Sequence, residues 1–396
     1  MGVAAEAERK GLFMCDVCER KENKTTIQNA CSQKEQNHDH ATLKRKSNLE
    51  LLRIVAMITI VAHHYVVNSG ITNEFDYSSI TLNMVFLQLW GMWGKTAINV
   101  FVMITGYFMC SRQLTVRRIA KIYMEAQFYT IIIFVLFLIM GYESISVNSI
   151  FRVLFWNLSG IGSGFTASFL AFYIFIPFYN KLISTLNRAD HLKLICMLLA
   201  LYTGTSTFFF CEGIFSEPVW YIVLYFVAAY VKIYGSGTWI NNNKIIGPML
   251  AAFICLAYAS VLCIDFIGSR FGFVSWGYLI ADSNKLLAFL VGVSTFLFFN
   301  NISIQYNGFI NTIASTMFGV LCIHANSSAM RDWLWKKILN VSGMYSSSIV
   351  ELVSHAVLSI VAIFAVCIII DLIRIRMIEK PIMERLDKCG WFGRRL

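Results

Sequence analysis

The stretch 51-LLRIVAMITIVAHHYVV-67 decides the fold class, because it is apolar for nearly the length of a membrane span and yet carries charge. A transmembrane helix needs about 20 consecutive apolar residues, and the run that starts at Leu49 has that length. Arg53 lies near one end and the pair His63-His64 near the other. A cation at the centre of a bilayer costs about 2.5–3.5 kcal/mol, and such residues usually face a partner or a cavity. The stretch therefore predicts a transmembrane helix that does more than anchor the chain.

The composition of the whole chain extends this prediction to most of its length. Hydrophobic residues make up 57% of the 396 residues and charged residues only 14%, whereas a soluble domain has about 25% charged residues. The net charge of +10 indicates membrane orientation, and no interleaved basic and aromatic patch predicts a nucleic-acid partner. We expect an all-α, polytopic membrane helical bundle in contact with membrane lipids.

Apolar segments recur along the chain and predict about ten transmembrane helices. The candidate spans are residues 49–68, 95–110, 118–140, 166–186, 193–211, 219–233, 246–266, 283–300, 308–325 and 348–373. Segments 80–93 and 148–158 are also apolar, and they favour re-entrant or interfacial helices. Basic residues concentrate at the flanks that this arrangement assigns to the cytoplasm, so both termini are expected there. The predicted location is the plasma membrane, as a multi-pass protein.

The two ends of the chain differ from this apolar centre. Residues 1–46 are polar without an apolar period and predict a disordered cytoplasmic tail. The membrane domain is expected over 47–385, and 386–396 form a basic cytoplasmic tail. The alternative for the N-terminal tail is a zinc site, since thiolates and imidazoles suit that metal. Its candidate ligands are Cys15, Cys18, Cys31, His38 and His40. Their spacing fits no strong template, and no metal is expected.

The spacing inside the first span places its polar residues on one face. Arg53 and His64 are eleven residues apart, which is close to three turns and about 16 Å along the axis. His63 points about a quarter turn away, and Glu50 lies one turn before Arg53, so the two can pair. One interpretation is a path that holds an anion at Arg53 and performs proton transfer at His64. The alternative is an arginine that reaches the inner surface, with a histidine that is only structural.

Two later segments carry further candidate residues. Arg117, Arg118 and Lys121 form a basic cluster at the predicted cytoplasmic end of the third span. The cluster fits either ordinary contact with lipid headgroups or binding of the phosphates of an anionic cofactor. His324, in 316-TMFGVLCIHANSS-328, lies at the predicted outer end of the ninth span. It is either a structural residue or a substrate-binding residue.

Five motifs in chain order resemble the acyltransferase family 3 of integral membrane enzymes. They are 50-ELLRIVAMITIVAHH-64, 100-VFVMITGYF-108, 117-RRIAKIY-123, 172-FYIFIPFYNKLI-183 and 316-TMFGVLCIH-324. The resemblance covers residues 47–385. The sequence departs from the family pattern at Thr105, where the family usually has Ser, and at Cys322, where Tyr is usual. Members of this family transfer acyl groups, often acetyl, to hydroxyls of bacterial surface polysaccharides, lipopolysaccharide or peptidoglycan.

The resemblance implies roles for the residues that match its motifs. His64 would be the essential histidine, as general base or acyl carrier, and Arg53 would help to bind the acyl-CoA donor. The basic cluster would belong to the donor side. We further expect His63 to assist catalysis, and Glu50 and His324 to contribute to substrate binding.

The predicted activity is O-acetyl transfer from acetyl-CoA, as co-substrate, to a glycan or a lipid-linked saccharide. One alternative is a transporter or flippase for an anionic or lipid-linked saccharide, which would use the same buried charges as a path. Such transporters often contain paired broken helices in inverted repeats, and the sequence shows no such pair. Another alternative is a structural partner in a glycan assembly complex.

Overall fold

The computed structural model describes residues 46–388, except residues 160, 162, 163, 210–214 and 272–275. Every regular element in this part of the chain is helical. The α-helices in chain order are α1 (Ser47–Val67), α2 (Leu82–Gly91), α3 (Gly94–Met109), α4 (Val116–Ile139), α5 (Val147–Ser159), α6 (Phe165–Ile174), α7 (Ile176–Thr185), α8 (Arg188–Leu199), α9 (Thr205–Phe208), α10 (Glu217–Tyr234), α11 (Asn243–Phe271), α12 (Leu286–Asn301), α13 (Gly308–Ala314), α14 (Met317–His324), α15 (Ser328–Arg331), α16 (Ile349–Arg374) and α17 (Lys380–Lys388).

Shorter elements connect some of these helices. The π-helical turns are Ala200–Gly204, Asp332–Ile338 and Ile375–Glu379. The 3₁₀ turns are Ile71–Glu74, Trp239–Asn241 and Ser342–Met344. A π turn widens the helix by one residue and is frequent at functional sites. The π turns after α15 and α16 both flank clusters of polar residues that are described below.

Helix α1 lies at the centre of the bundle, in contact with α2, α3, α12, α13, α14 and α16. Its apolar residues Leu52, Met57 and Tyr65 are each at most 1% exposed. At its start, the side-chain amide of Asn48 donates to the carbonyls of Phe299 and Ile302, at 2.9 and 3.0 Å. These bonds satisfy carbonyls at the end of α12 that have no partner within that helix. The start of α1 is thereby fixed to its neighbour.

Gly106 allows α3 and α10 to approach closely. A Cβ atom at this position would lie 3.1 Å from Cα of Tyr225 and 3.0 Å from Cβ of Ala228. Such distances are shorter than ordinary van der Waals contact, so any larger residue would push α3 and α10 apart. Small residues serve this purpose where membrane helices pack.

Two of the predicted spans are bent. Helices α6 and α7 meet at 52°, where Pro177 lies near the start of α7 and cannot donate a backbone hydrogen bond to the preceding turn. The helical segment Gly308–His324 meets Ser328–Met344 at 95°. This second bend is sharp enough to turn the chain back, and it places His324 at the end of a helix.

Helices form at all ten predicted spans, but not all of them are long. Among the described residues, four helices are long and apolar enough to cross a membrane, and up to six if each bent pair counts as one span. Segments 80–93 and 148–158 contain α2 and α5. The predicted number of ten spans and the cytoplasmic position of both termini stay predictions.

The lipid-facing character of the bundle is visible on its outer helices. In α11, only 17% of the most apolar stretch of 18 residues is buried against the rest of the protein. Exposed apolar side chains also line α16, among them Leu358 and Val361 at 68% and 60% exposure. Apolar surface of this extent is stable in hydrocarbon and not in water.

Candidate functional site

The two histidines at the ends of distant motifs are in direct contact. His64 lies in the last turn of α1 and His324 in the last turn of α14. The Nδ1 atom of His64 lies 2.9 Å from Nε2 of His324. His324 is fully buried, whereas His64 keeps some exposed surface. The structure therefore brings together two candidate residues that are separated by 260 positions in the sequence.

The hydrogen bonds of this pair determine which nitrogens carry protons when both rings are neutral. Nδ1 of His324 lies 2.6 Å from the carbonyl oxygen of Val320. A carbonyl oxygen only accepts, so Nδ1 of His324 is the donor and its Nε2 has a free lone pair. Nδ1–H of His64 then donates to that lone pair. The assignment leaves Nε2 of His64 unprotonated and able to accept a proton or an acyl group.

His63 is held away from this pair. Its Nδ1 lies 2.5 Å from the carbonyl oxygen of Gly91, at the end of α2. A Cβ atom at Gly94 would overlap the His63 ring, so glycine at that position is required for the close approach of α3. The rings of His63 and His64 are nevertheless neighbours, with centroids 5.7 Å apart. His63 can fix the orientation of the first span at this end of the bundle.

Aromatic residues surround the histidine pair. Trp335 is fully buried, and its ring centroid lies 6.5 Å from that of His324 and 6.1 Å from that of Tyr65. The hydroxyl of Tyr65 forms a hydrogen bond of 2.9 Å with Nδ1 of His355. Trp335, Tyr65 and His355 were not predicted as site residues. The available signal was that Tyr65 directly follows His64.

At the opposite end of α1, Arg53 pairs with Glu50 as the spacing predicts. The nearest nitrogen and oxygen atoms are 3.2 Å apart. Glu50 is 4% exposed, and Arg53 keeps 28% of its side chain exposed. A buried carboxylate that holds a partly exposed guanidinium leaves that guanidinium free to bind a second anion.

Arg118 and Tyr173 both lie against the sulfur of Met109. Nη1 of Arg118 donates to the carbonyl oxygen of Gln113 at 2.8 Å, and it also lies 3.8 Å from the sulfur of Met109. The hydroxyl of Tyr173 approaches the same sulfur at 3.8 Å. The charges of Arg118, Arg53 and Arg112 all act on Tyr173. The charges of three arginines therefore meet near this end of α1, and two of them, Arg53 and Arg118, were predicted as site residues.

The other two residues of the predicted basic cluster bind carboxylates of the C-terminal segment. Arg117 pairs with Asp387 at 3.0 Å and Lys121 with Glu379 at 2.6 Å. Both basic side chains are about half exposed. The three basic residues therefore have different surroundings. Arg118 contacts Met109, whereas Arg117 and Lys121 pair with the C-terminal segment.

A buried ionic network lies close to Lys121 and was not predicted. Arg374 forms three ion pairs: with Asp371 at 2.6 Å, with Glu125 at 2.9 Å and with Glu379 at 2.9 Å. The hydroxyl of Tyr129 donates to Asp371 at 2.7 Å. The sequence signal was an acid within each of two apolar segments, α4 and α16. An acid in such a segment usually has a partner, but the sequence does not identify it.

Two motif residues at or near α3, Thr105 and Asn180, make structural contacts. The hydroxyl of Thr105 donates to the carbonyl of Phe101 in its own helix at 3.1 Å. Asn180 donates to the carbonyl of Met109 at 3.0 Å and accepts from the hydroxyl of Tyr225 at 2.6 Å. These bonds hold the end of α3, where Met109 contacts both Arg118 and Tyr173.

No group of three or more histidine, cysteine, aspartate or glutamate side chains is arranged to hold a metal ion within the described part of the chain. The cysteines and histidines of the alternative zinc site, and almost all of the predicted 1–46 tail, lie outside the described residues. So do residues 389–396 of the predicted C-terminal tail.

The fold and these residues define an all-helical membrane protein with a histidine pair at one end of its central helix and arginines at the other. A family model described as an acyltransferase domain, that of acyltransferase family 3, matches residues 46–372. The chain belongs to this family, as the motifs indicated, and it is a membrane acyltransferase. No curated protein and no solved structure matches the chain.

Proposed function

We propose that this acyltransferase carries an acetyl group from acetyl-CoA to a hydroxyl of an extracytoplasmic or lipid-linked glycan. The observation that supports the proposal most strongly is the hydrogen bond between His64 and His324. It leaves Nε2 of His64 as an unprotonated nitrogen at the end of a membrane helix. An imidazole in this state is suited to general base catalysis near neutral pH.

In the proposed reaction, Nε2 of His64 accepts the proton of the acceptor hydroxyl while the hydroxyl oxygen attacks the thioester carbonyl. The tetrahedral intermediate then collapses, and the C–S bond breaks. The departing thiolate takes the proton from Nε2 of His64, which returns to its starting state. The products are the O-acetyl ester and coenzyme A, and no proton is gained or lost overall.

A covalent route uses the same nitrogen in a different order. Nε2 of His64 attacks the thioester, the thiolate leaves, and the acetyl group is held on the ring as an acetyl-imidazole. The acceptor hydroxyl then attacks this acetyl group, the C–N bond to Nε2 breaks, and the hydroxyl proton goes to the coenzyme A thiolate. Both routes need Nδ1 of His64 to be protonated, and His324 is the residue that accepts its hydrogen bond.

We propose that the donor enters at the Arg53 end of α1. The charges of Arg53 and Arg118 both act on Tyr173, and guanidinium groups bind phosphate through paired hydrogen bonds. Glu50 would act by orienting Arg53 and not by binding substrate directly. Arg117 and Lys121 can take part only after exchanging their present carboxylate partners for phosphate. The orientation in this proposal puts both termini and the donor side in the cytoplasm of a plasma-membrane protein.

The test is acetyl transfer by the purified full-length protein in nanodiscs, with labelled acetyl-CoA and extracted surface glycan. Wild type should label the glycan, and His64→Ala should lose at least 10²-fold in rate, the size expected for a general base. The matched control is His355→Ala, which removes an imidazole that contacts Tyr65 instead of His324. Full activity of His64→Ala would contradict the role of this histidine.

A second readout separates enzyme from transporter. Labelled acetyl-CoA should release coenzyme A in the presence of acceptor, and acid-quenched protein should carry acetyl on His64 if the route is covalent. A transporter or flippase would move labelled saccharide across a vesicle membrane without consuming acetyl-CoA. Mass spectrometry of surface glycan from cells with and without the protein identifies the acetylated position.

A further inference from the structure

Arg331 is a partly buried cation close to the histidine pair. It ends α15, the short helix that begins directly after the 95° bend that follows His324. Trp335 is four residues further along, about one helical turn away, and its ring packs near that of His324. The charge of Arg331 also acts on His64. Arg331 therefore lies at the end of α14 where the unprotonated nitrogen of His64 is found.

Other cations near this end of the bundle have partners. These pairs are Lys95 with Glu217, Lys336 with Asp332, and Lys337 with the ring of Tyr142. Arg331 has no ion pair with any residue that the structure describes. A partly buried charge in a membrane protein that lacks a protein partner usually faces a substrate path.

Two cations, Arg331 and Lys95, act on His64. The ionisable groups that act on it are His324, His63, Arg331 and Lys95. Within the described residues, none of these groups is a carboxylate. Since Lys95 is paired with Glu217, the surplus positive charge at this end belongs to Arg331. A positive site favours negatively charged ligands, and it also raises their local concentration.

We propose that Arg331 binds an anionic group of the acceptor, a phosphate or a carboxylate, while a neighbouring hydroxyl of that acceptor reacts at His64. This inference rests on the proposed function and specifies the acceptor class that it leaves open. A guanidinium group matches both oxyanions with two parallel hydrogen bonds. The anionic group is a recognition element and takes no part in bond making.

The test compares matched acceptors in the purified, full-length protein with labelled acetyl-CoA. One acceptor is a neutral glucose trisaccharide, the second has one glucose replaced by glucuronic acid, and the third carries a phosphate on its terminal sugar. Wild type should show at least tenfold higher kcat/KM for one or both anionic acceptors. Arg331→Gln should remove this preference, mainly through KM, and leave transfer to the neutral acceptor within twofold.

Two further variants make the result specific. Lys336→Gln changes a nearby cation that is paired with Asp332, and it should keep the tenfold preference. Arg331→Lys keeps the charge without the planar fork, and it should retain part of the preference. Comparison of kcat/KM for the carboxylate acceptor and the phosphate acceptor shows which of the two anionic groups the site prefers.

Several outcomes would overturn the proposal. Equal use of neutral and anionic acceptors by wild type would do so, and so would an Arg331→Gln variant that loses activity equally toward both. If wild type transfers no acetyl group to any acceptor, the proposed function itself fails.

If Arg331→Gln does not fold, a measurement on wild type tests whether the anionic acceptor is recognised by charge. Raising the salt concentration should increase KM for the anionic acceptor at least threefold and leave KM for the neutral acceptor unchanged. No difference between the two acceptors would contradict the role of Arg331.

Discussion

The two charged regions of this protein, around Arg374 and around His64, differ in whether their polar groups have partners within the protein. Around Arg374, three carboxylates surround one guanidinium, and each of its nitrogens has a carboxylate oxygen within 2.9 Å. Around His64, one ring nitrogen is left without a proton, and Arg331 has no ion pair with a residue that the structure describes. A region whose charges are satisfied within the protein stabilises the fold. A region whose charges are left open is available for substrate.

This contrast predicts that the largest loss of stability comes from the Arg374 network. Arg374→Met would leave Glu125, Asp371 and Glu379 without their shared partner. Breaking a buried ion pair in this way costs about 3–5 kcal/mol. Unfolding of the purified protein in mixed micelles should measure a loss of this size. The control is Arg376→Met, which removes an exposed arginine two residues away and should change the free energy of unfolding little. An equal effect of both variants would contradict a stabilising role of the Arg374 network.

The next largest effect should appear at Arg53. This residue lies in the same helix as His64, at the opposite end. Arg53→Gln removes the guanidinium that is proposed to hold the donor. A hydrogen bond to a charged group contributes about 1.5–3 kcal/mol, so KM for acetyl-CoA should rise at least tenfold. KM for the acceptor should stay unchanged. Arg53→Lys, which keeps the charge, is the matched variant and should recover part of the affinity. A rise in acceptor KM instead would place Arg53 on the acceptor side.

His324 tests whether the histidine end depends on its hydrogen bond. His324→Leu leaves Nδ1–H of His64 without an acceptor, and an unmade buried hydrogen bond costs about 1–3 kcal/mol. The rate should therefore fall about 5- to 150-fold, with little change in KM for acetyl-CoA. His324→Gln offers an amide oxygen in place of Nε2 and should restore part of the rate. A purely structural role would lower the stability of both variants and leave the rate per folded molecule unchanged.

The smallest effect concerns the pair of Arg117 and Asp387. Both side chains are about half exposed, and exposed ion pairs contribute about 0–1 kcal/mol. Asp387→Asn frees Arg117, so KM for acetyl-CoA should fall by up to about fivefold while stability hardly changes. Asp190→Asn breaks the exposed pair with Lys193 elsewhere and serves as control. An unchanged KM in Asp387→Asn would remove Arg117 from the donor site.

The sequence predicted what depends on short spacing. The pair of Glu50 and Arg53 follows from one helical turn. The apolar segments predicted where helices form. These features are local, so periodicity and hydrophobicity were sufficient to find them.

The sequence did not predict what depends on contacts between distant segments. Neither helical period nor composition relates His64 to His324. His324 was predicted at the outer end of the ninth span, and that position gave no reason to expect a fully buried side chain. The partners of Arg117 and Lys121 were missed for the same reason, because they lie more than 250 residues away in the C-terminal segment. The bend after His324 was also missed, since no proline marks it.

The bend after His324 affects how far each substrate must travel. The segment Gly308–His324 would rise about 25 Å as a continuous helix, which is less than the roughly 30 Å of hydrocarbon in a bilayer. His324 and its partner can therefore lie below the membrane surface. Under the proposed function, the glycan then only needs to bring a single hydroxyl to that depth. The long, flexible arm of the donor covers the remaining distance, so neither the sugar chain nor the nucleotide has to cross the membrane.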